Sequence, residues 1–453
     1  MSDTLNIIIL GAGKGTRMKS TRPKVLQHLA GKPLISHVLD TCQTLNAQNT
    51  IVIYGFGGQM VRDELASRQL LWAEQSEQLG TGHAVKMALP QLPATGKSLI
   101  LYGDVPLTTA DTLQKLVQAN AEGISMLTMS VANPFGLGRI IRQDGKVVAI
   151  VEQKDATDEQ KQINEINSGI YCVDNALLHR YLPALSNDNA LGEYYLTDIV
   201  KMAVADGIDI ATISPEFDFE IEGVNDRIQL ANLERTWQAH QIHQLQLAGV
   251  QFADPARVDI RGTLQCGQDV FIDINTIFNG NVVLGNGVQI DAGNIISNST
   301  IGDGTHIKPN CVIDDSKIGQ SASIGPFAHL RPKSDLADQV KVGNFVEIKK
   351  STVGTGSKIN HLSYVGDAMV GTGVNVGAGV ITCNYDGVNK FTTTIGDGAF
   401  VGSNSSLVAP VIIGKDATVA AGSVITKDTP DGKLVVARSR QSTIEHWTRP
   451  VKK

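Results

Sequence analysis

Aromatic side chains, cysteines and surplus positive charge are all scarce in this chain of 453 residues. Its five cysteines (Cys42, Cys172, Cys266, Cys311, Cys383) are odd in number, widely spaced and form no CxxC. That excludes a disulfide framework and a structural zinc site, and it fits a reducing cytoplasm. Each cysteine reads as a small buried hydrophobe. A formal net charge of −6 excludes a general nucleic-acid binder, which needs a broad basic surface against phosphates. No stretch approaches the ~18 apolar residues of a membrane span. The start, "MSDTLNIIILGAG", has no basic region ahead of an apolar one and does not read as a signal peptide.

What is present points to more than one domain, because the chain is too long for a single ordinary core. Glycine is abundant, at 45 residues, and many fall in the second half, where apolar residues persist between them. This pattern implies tight, repeated corners and not disorder. In the first half, short aliphatic runs ("NIIILGAG", "TIVIYG", "LLWAEQ", "SLILYGDVPL", "ISMLTMSV") alternate with helical spacing ("LISHVLDTC", "MVRDELAS", "GHAVKMAL", "DTLQKLVQAN"). The alternation predicts an α/β domain, Rossmann-like, with a mostly parallel sheet covered by helices on both faces. Ligands in that architecture bind beyond the C-terminal ends of the strands.

The first strand runs into "LGAGKGTRMKSTRPKVL" (10–26). Gly11, Gly13 and Gly15 permit a loop whose backbone N–H groups approach a phosphate, and Arg17 and Lys24 add positive charge. The spacing fits neither a Rossmann GxGxxG nor a Walker A loop. It resembles instead the signature of the sugar-1-phosphate nucleotidylyltransferases, with Gly11 where alanine is common. "EQLGTGHA" (77–84), "LYGDVPL" (101–107), "GLGRI" (136–140), "VEQKDA" (151–156), "EINSGIY" (165–171) and "EGVNDR" (222–227) follow one branch of that family in order and spacing. That branch is the bifunctional UDP-N-acetylglucosamine pyrophosphorylase and glucosamine-1-phosphate N-acetyltransferase, and the resemblance covers essentially the whole chain.

The resemblance implies that N-acetylglucosamine 1-phosphate attacks the α-phosphorus of UTP and pyrophosphate leaves. The nucleophile is already an anion, so the site has to neutralise charge and align the attack. Arg17 and Lys24 are expected against the UTP phosphates. Asp104, with Asn225 as second ligand, is expected to hold Mg²⁺, although Asn225 reads equally well as a helix cap. By the same resemblance Leu10, Gly11, Ala12, Gly13, Tyr102 and Gly103 line the nucleotide site. Gln75, Gly80 and Thr81 read uracil, and Gly138, Glu152 and Asn167 line the sugar pocket. The uridylyltransferase domain is expected over residues 1–227, and "DRIQLANLERTWQAHQIHQLQLAG" suggests a helical linker over 228–248.

From 249 to 453 the character changes. Ile395, Val401, Leu407, Ile413, Val419 and Ile425 recur every sixth residue, as do Ile301, Ile307 and Ile313. Three such hexapeptides make a coil of about 18 residues, and the run predicts roughly nine or ten coils of parallel β-helix. Known proteins with this pattern coil left-handed and commonly form trimers, so a homotrimer is expected. "CNYDGVNK" (383–390) breaks the repeat and should project as a loop.

In the acetyltransferase half, the resemblance makes His361 the general base that deprotonates the glucosamine amine, with Glu347 orienting it. Arg331, Lys349, Tyr364, Asn375 and Lys390 are expected to hold glucosamine 1-phosphate. Ala378, Asn384, Tyr385, Ser403, Ala421 and Arg438 are expected to contact acetyl-CoA. The basic tail "EHWTRPVKK" reads as a cap on the coil, an arm to a neighbour or a solvated end. The product would feed bacterial cell-wall and lipopolysaccharide synthesis. The competing expectation is a nucleotidylyltransferase whose β-helix is only an oligomerisation or regulatory platform.

Overall fold

The computed structural model describes residues 4–121 and 123–452. The chain divides into two compact units, one ending at Thr236 and the other beginning at Trp237.

In the first unit the strand Leu5–Leu10 lies between Asn49–Tyr54 and Lys97–Tyr102, parallel to both, and Leu71–Glu74 extends the sheet beyond Asn49–Tyr54. Side chains alternate across a strand, and here both faces are covered. Ile8 and Leu10 join a core completed by the helices Thr81–Lys86 and Asp198–Ala205. Ile7 and Ile9 join a second core with Leu34–Gln43, Gly58–Glu64 and Ala110–Ala119. That double burial is why residues 7–10, "IIIL", are an unbroken aliphatic run. The parallel order is interrupted by Glu165–Asp174, which runs antiparallel between Lys97–Tyr102 and Ile124–Ser130. A hairpin, Arg139–Gln143 with Lys146–Val151, hangs from that strand.

The stretch expected as a linker is the helix Arg227–Leu247, and the division between the units falls inside it. Its start is capped by Asp226, whose Oδ1 accepts from the N–H groups of Ile228 and Gln229 at 2.9 Å each. Within the second unit, Gln238 closes both backbone groups of Ile260, accepting from its N–H at 2.7 Å and donating to its carbonyl at 2.8 Å. Ile242, one turn on, enters the β-helix core.

The second unit is a parallel β-helix. Gln289, His306, Ser323, Lys341 and Lys358 stack at intervals of 17 or 18 residues. Beside them Ile290, Ile307, Ile324, Val342, Ile359, Val376, Val401 and Val419 form an interior column, each at most 3% exposed. The coil turns its corners through left-handed residues. One such column reads Asn275, Gly293, Asn310, Phe327, Phe345, Leu362, Gly379, Asn404 and Gly422, all with positive φ. Asparagine and glycine are the residues that tolerate this conformation. Phe327, Phe345 and Leu362 do not, and all three are exposed, with the two phenyl rings stacked at 5.4 Å. The step lengthens sharply where Asn375 pairs with Phe400, 25 residues on. The surplus is the segment after Cys383, which folds outward and is pinched by an antiparallel bridge between Tyr385 and Lys390.

Among the described residues no helix is long and apolar enough to cross a membrane.

Candidate active sites

The first site is a cleft of about 370 Å³ at the C-terminal ends of the parallel strands. It is lined by Leu10, Gly11, Ala12, Gly13, Lys24, Gln75, Gly80, Thr81, Tyr102, Asp104 and Asn225, joined by Val25, Gln78, Ala84 and Glu193. Glycine is required where the backbone walls close in. Gly80 has φ +112°, and a Cβ there would lie 2.6 Å from the Tyr194 carbonyl oxygen. The same carbonyl accepts from the Gly82 N–H at 2.8 Å, which draws the Glu193–Tyr194 loop over the cleft. No local pattern in the sequence ties Glu193 to Gly80, which is why it escaped a reading by motif. Gln75 is fixed from below, donating to the Gly80 carbonyl at 3.1 Å.

Lys24 Nζ sits between the Asp104 carboxylate, with which it forms an ion pair, and Asn225 Oδ1, to which it donates at 3.0 Å. Two oxygens from residues more than a hundred positions apart therefore converge on one cation. Asn225 is not the helix cap, since Asp226 performs that task. A hard divalent ion with further oxygens from phosphate and water suits such a pair. No cluster of three or more His, Cys, Asp or Glu able to hold a metal occurs among the described residues. Gly103 and Arg17 do not line the cleft. The Gly103 N–H donates to the Leu10 carbonyl at 2.9 Å, and Arg17 stands exposed on the turn Thr16–Met18.

An adjoining cleft of about 550 Å³ shares Tyr102, Asp104 and Asn225 and adds Asn167. Asn167 Oδ1 accepts from Tyr171 Oη at 2.9 Å and from the Gly169 N–H at 3.0 Å, so its amide nitrogen is the end left for a ligand. Gly138 and Glu152 line neither cleft but adjoin Asn167: the Asn167 N–H donates to the Gly138 carbonyl at 2.9 Å, and a Cβ at 138 would meet Glu152 Oε1 at 3.4 Å. Burial raises the Glu152 carboxyl above its usual range, opposed by the Thr197 hydroxyl that donates to it. Burial and the nearby Asp104 charge likewise push the Tyr102 phenol up.

The second site lies along one corner of the β-helix. Register places Asn344 opposite His361. Because Val376, Val401 and Val419 continue the Ile359 column, Ala378, Ser403 and Ala421 stack in turn above His361. Small side chains thus form a trough leading away from the imidazole, at about 4.8 Å per coil. At its end Arg438 donates to the Ala421 carbonyl at 2.7 Å. His361 is exposed, and its Nδ1 faces Asn344 Oδ1 at 3.0 Å. An amide oxygen only accepts, so this contact is made by the tautomer with Nδ1–H, in which Nε2 is the acceptor.

Across the corner stand Glu347 and Tyr364, paired in register. Glu347, expected to orient His361, is bonded to Arg331 at 2.7 Å, and in this chain Asn344 holds the ring. The reason is register: 344, not 347, falls opposite 361. Tyr364 lies across Gly366, where a Cβ would come within 2.3 Å of its hydroxyl. Lys390, carried by the interrupting loop, stands beside Lys349, and the closeness of the two amines holds it below the ordinary lysine range. Two amines so close make an anion cradle. Asn375 and Tyr385 flank the corner, Asn375 half-buried and Tyr385 exposed.

Comparisons with known proteins find matches in both units. Residues 7–149 match the MobA-like NTP transferase domain, 260–344 the GMPPB C-terminal domain, and 392–427 the hexapeptide repeat of succinyl-transferase. A protein of Psychrobacter sp. (strain PRwf-1) named "Bifunctional protein GlmU" is 66% identical, with all of both chains covered. One of the same name from Acinetobacter baumannii (strain AYE) is 59% identical over 98% of each chain.

Proposed function

The chain belongs to the GlmU family, bifunctional enzymes of UDP-N-acetylglucosamine synthesis, and on that premise we propose which of its residues run each half-reaction. In the β-helix, glucosamine 1-phosphate lies with its phosphate against Arg331, Lys349 and Lys390. His361 Nε2 takes a proton as the amine attacks the acetyl-CoA thioester, and Asn344 keeps Nε2 free to do so. The thiolate leaves, is protonated, and the N-acetyl sugar phosphate is released. Acetyl-CoA extends along the trough of Ala378, Ser403 and Ala421 toward Arg438, with Asn384 and Tyr385 on the loop side.

In the first unit, N-acetylglucosamine 1-phosphate occupies the cleft beside Asn167, Glu152 and Gly138, and UTP the cleft beside Gln75, Gly80 and Thr81. Lys24 offsets charge as the P–O bond to pyrophosphate breaks, and Arg17, on the turn that follows the glycine loop, is assigned to the same phosphates. Enzymes of this family require a divalent metal. We assign Mg²⁺ to Asp104 and Asn225, where it would neutralise phosphate charge. In the chain alone Lys24 Nζ is held by those same two oxygens, which places its charge beside the phosphates.

A cytoplasmic homotrimer completes the proposal. Its support is the exposed, conformationally costly column Phe327, Phe345 and Leu362 on the corner that carries His361. The observation that carries the acetyl-transfer assignment is the alignment of one free imidazole nitrogen with a column of small residues. The test is paired. Full-length protein with acetyl-CoA and glucosamine 1-phosphate should release thiol, and with UTP, Mg²⁺ and N-acetylglucosamine 1-phosphate it should release pyrophosphate. Pyrophosphate without thiol would make the β-helix a platform.

A further inference from the structure

One carboxyl group near the second site has no part in the chemistry above. Asp367 sits on a left-handed corner, with φ +49°, at the point where the coil steps over the interrupting loop. Its N–H donates to the Lys349 carbonyl at 3.0 Å, and its own carbonyl accepts from the Thr393 N–H at 3.3 Å, beyond the loop. The side chain is only 6% exposed. A buried carboxylate is retained only if its oxygens are engaged. Oδ1 meets Lys350 Nζ at 3.3 Å, and Oδ2 accepts from Asn384 Nδ2 at 2.5 Å.

We propose that Asp367 is a positioning residue for acetyl transfer, fixing the orientation of the Asn384 amide and the register of the loop that delivers Lys390. A carboxylate can only accept, so Asn384 must turn its nitrogen inward. The same nitrogen lies 3.5 Å from Tyr364 Oη. Asn384 Oδ1 is thereby left as an acceptor, unused among the described residues and not sealed from solvent. Its complement is an N–H donor, and an amide N–H of the pantetheine arm is the donor that a residue beside the trough would meet. The Asn384 carbonyl accepts from the Phe391 N–H at 2.8 Å, so the residue held by Asp367 also ties the two ends of the loop together. Reversing the amide would present a donor where an acceptor is needed, and freeing it would loosen the base of the loop.

This inference rests on the acetyltransferase reading, and the experiment separates the two. Thiol release is measured for wild type, Asp367→Ala and Asp367→Asn, with pyrophosphate release and circular dichroism as controls, and amide exchange at Phe391 as the readout of loop register. If wild type releases no thiol, the functional reading falls. With wild type active, Asp367→Ala should raise KM for acetyl-CoA by about tenfold or more, because a buried hydrogen bond is lost at the binding group. It should also speed exchange at Phe391 and leave pyrophosphate release unchanged. Asp367→Asn keeps an acceptor for Asn384 and should recover KM to within about twofold. The proposal is overturned if Asp367→Ala leaves KM and Phe391 exchange unaltered, or if Asp367→Asn is as impaired as alanine. Should Asp367→Ala fail to fold, Asp367→Asn alone decides, since a tenfold rise in its KM sinks the argument.

Discussion

Replacing His361 by alanine separates the two halves of the chain more sharply than any other single change. The imidazole is exposed, and its hydrogen bond is to Asn344, so truncation removes no buried surface. An exposed polar contact of this kind contributes about 1 kcal/mol or less to stability, and the melting temperature should hardly move. The catalytic loss is far larger. A positioned general base contributes about 10²–10⁴ in rate, or roughly 3–5 kcal/mol of barrier. The structure adds a graded control. Asn344→Ala leaves the imidazole but frees its tautomer, so part of the population presents an N–H to the substrate amine; a loss of roughly three- to thirtyfold is expected. The assay is thiol release from acetyl-CoA under saturating glucosamine 1-phosphate, with pyrophosphate release from the same preparation as internal reference. Thiol release by His361→Ala above a tenth of wild type would refute the assignment of the base. Equal loss of both activities would refute the independence of the sites.

Three further outcomes follow from the geometry. Lys24→Met removes the cation held by Asp104 and Asn225 and should lower pyrophosphate release by about 10²–10³ while thiol release is unchanged; loss of both would point to misfolding. Gly366→Ala places a methyl 2.3 Å from Tyr364 Oη, forcing the ring off its strand, and should raise KM for glucosamine 1-phosphate about tenfold, an unchanged KM removing Tyr364 from the sugar site. Burial lowers the His37 pKa from 6.5 to about 4, so the folded state favours the neutral ring. Its contribution is complete above the unfolded value and fades as pH falls through the interval down to about 4. By pH 5 about 2 kcal/mol should be gone, visible as faster hydrogen exchange in the strand Leu5–Leu10, and His37→Gln should abolish that part of the pH dependence.

The sequence is informative where a physical constraint acts over a short stretch. Period-six aliphatics must stack inside a prism, so the β-helix and its interruption after Cys383 were both legible. Aliphatic runs followed by glycine placed the first cleft, because strand ends and phosphate loops are contiguous in sequence. Contacts set by register were not legible. Asn344 reaches His361 from 17 residues away, and a one-coil offset decides that it, and not Glu347, holds the ring. Glu193 enters the first cleft through a loop that no periodicity marks. "EINSGIY" marks a motif, but nothing in it marks Glu165–Asp174 as the antiparallel strand that splits the sheet, because a central strand has no alternation to betray its direction.

The interruption itself can be explained by what the repeat lacks. A regular coil points its side chains either into a dry column or out to solvent, and successive coils offer a ligand nearly the same surface. Chemistry needs unlike groups close together, and this corner obtains them by three departures from the rule. Bulky residues occupy Phe327, Phe345 and Leu362, where asparagine or glycine would be easier. Glycine at 366 lets Tyr364 lie flat along its own strand. The step of 25 residues to Phe400 extrudes a loop that sets Lys390 against Lys349. Each departure weakens the repeat locally, and Asp367, bonded to Lys349 before the loop and to Thr393 after it, holds the coil in register across the most severe of them. A β-helix serving only as a scaffold would gain nothing from these departures, whereas an acetyltransferase depends on them.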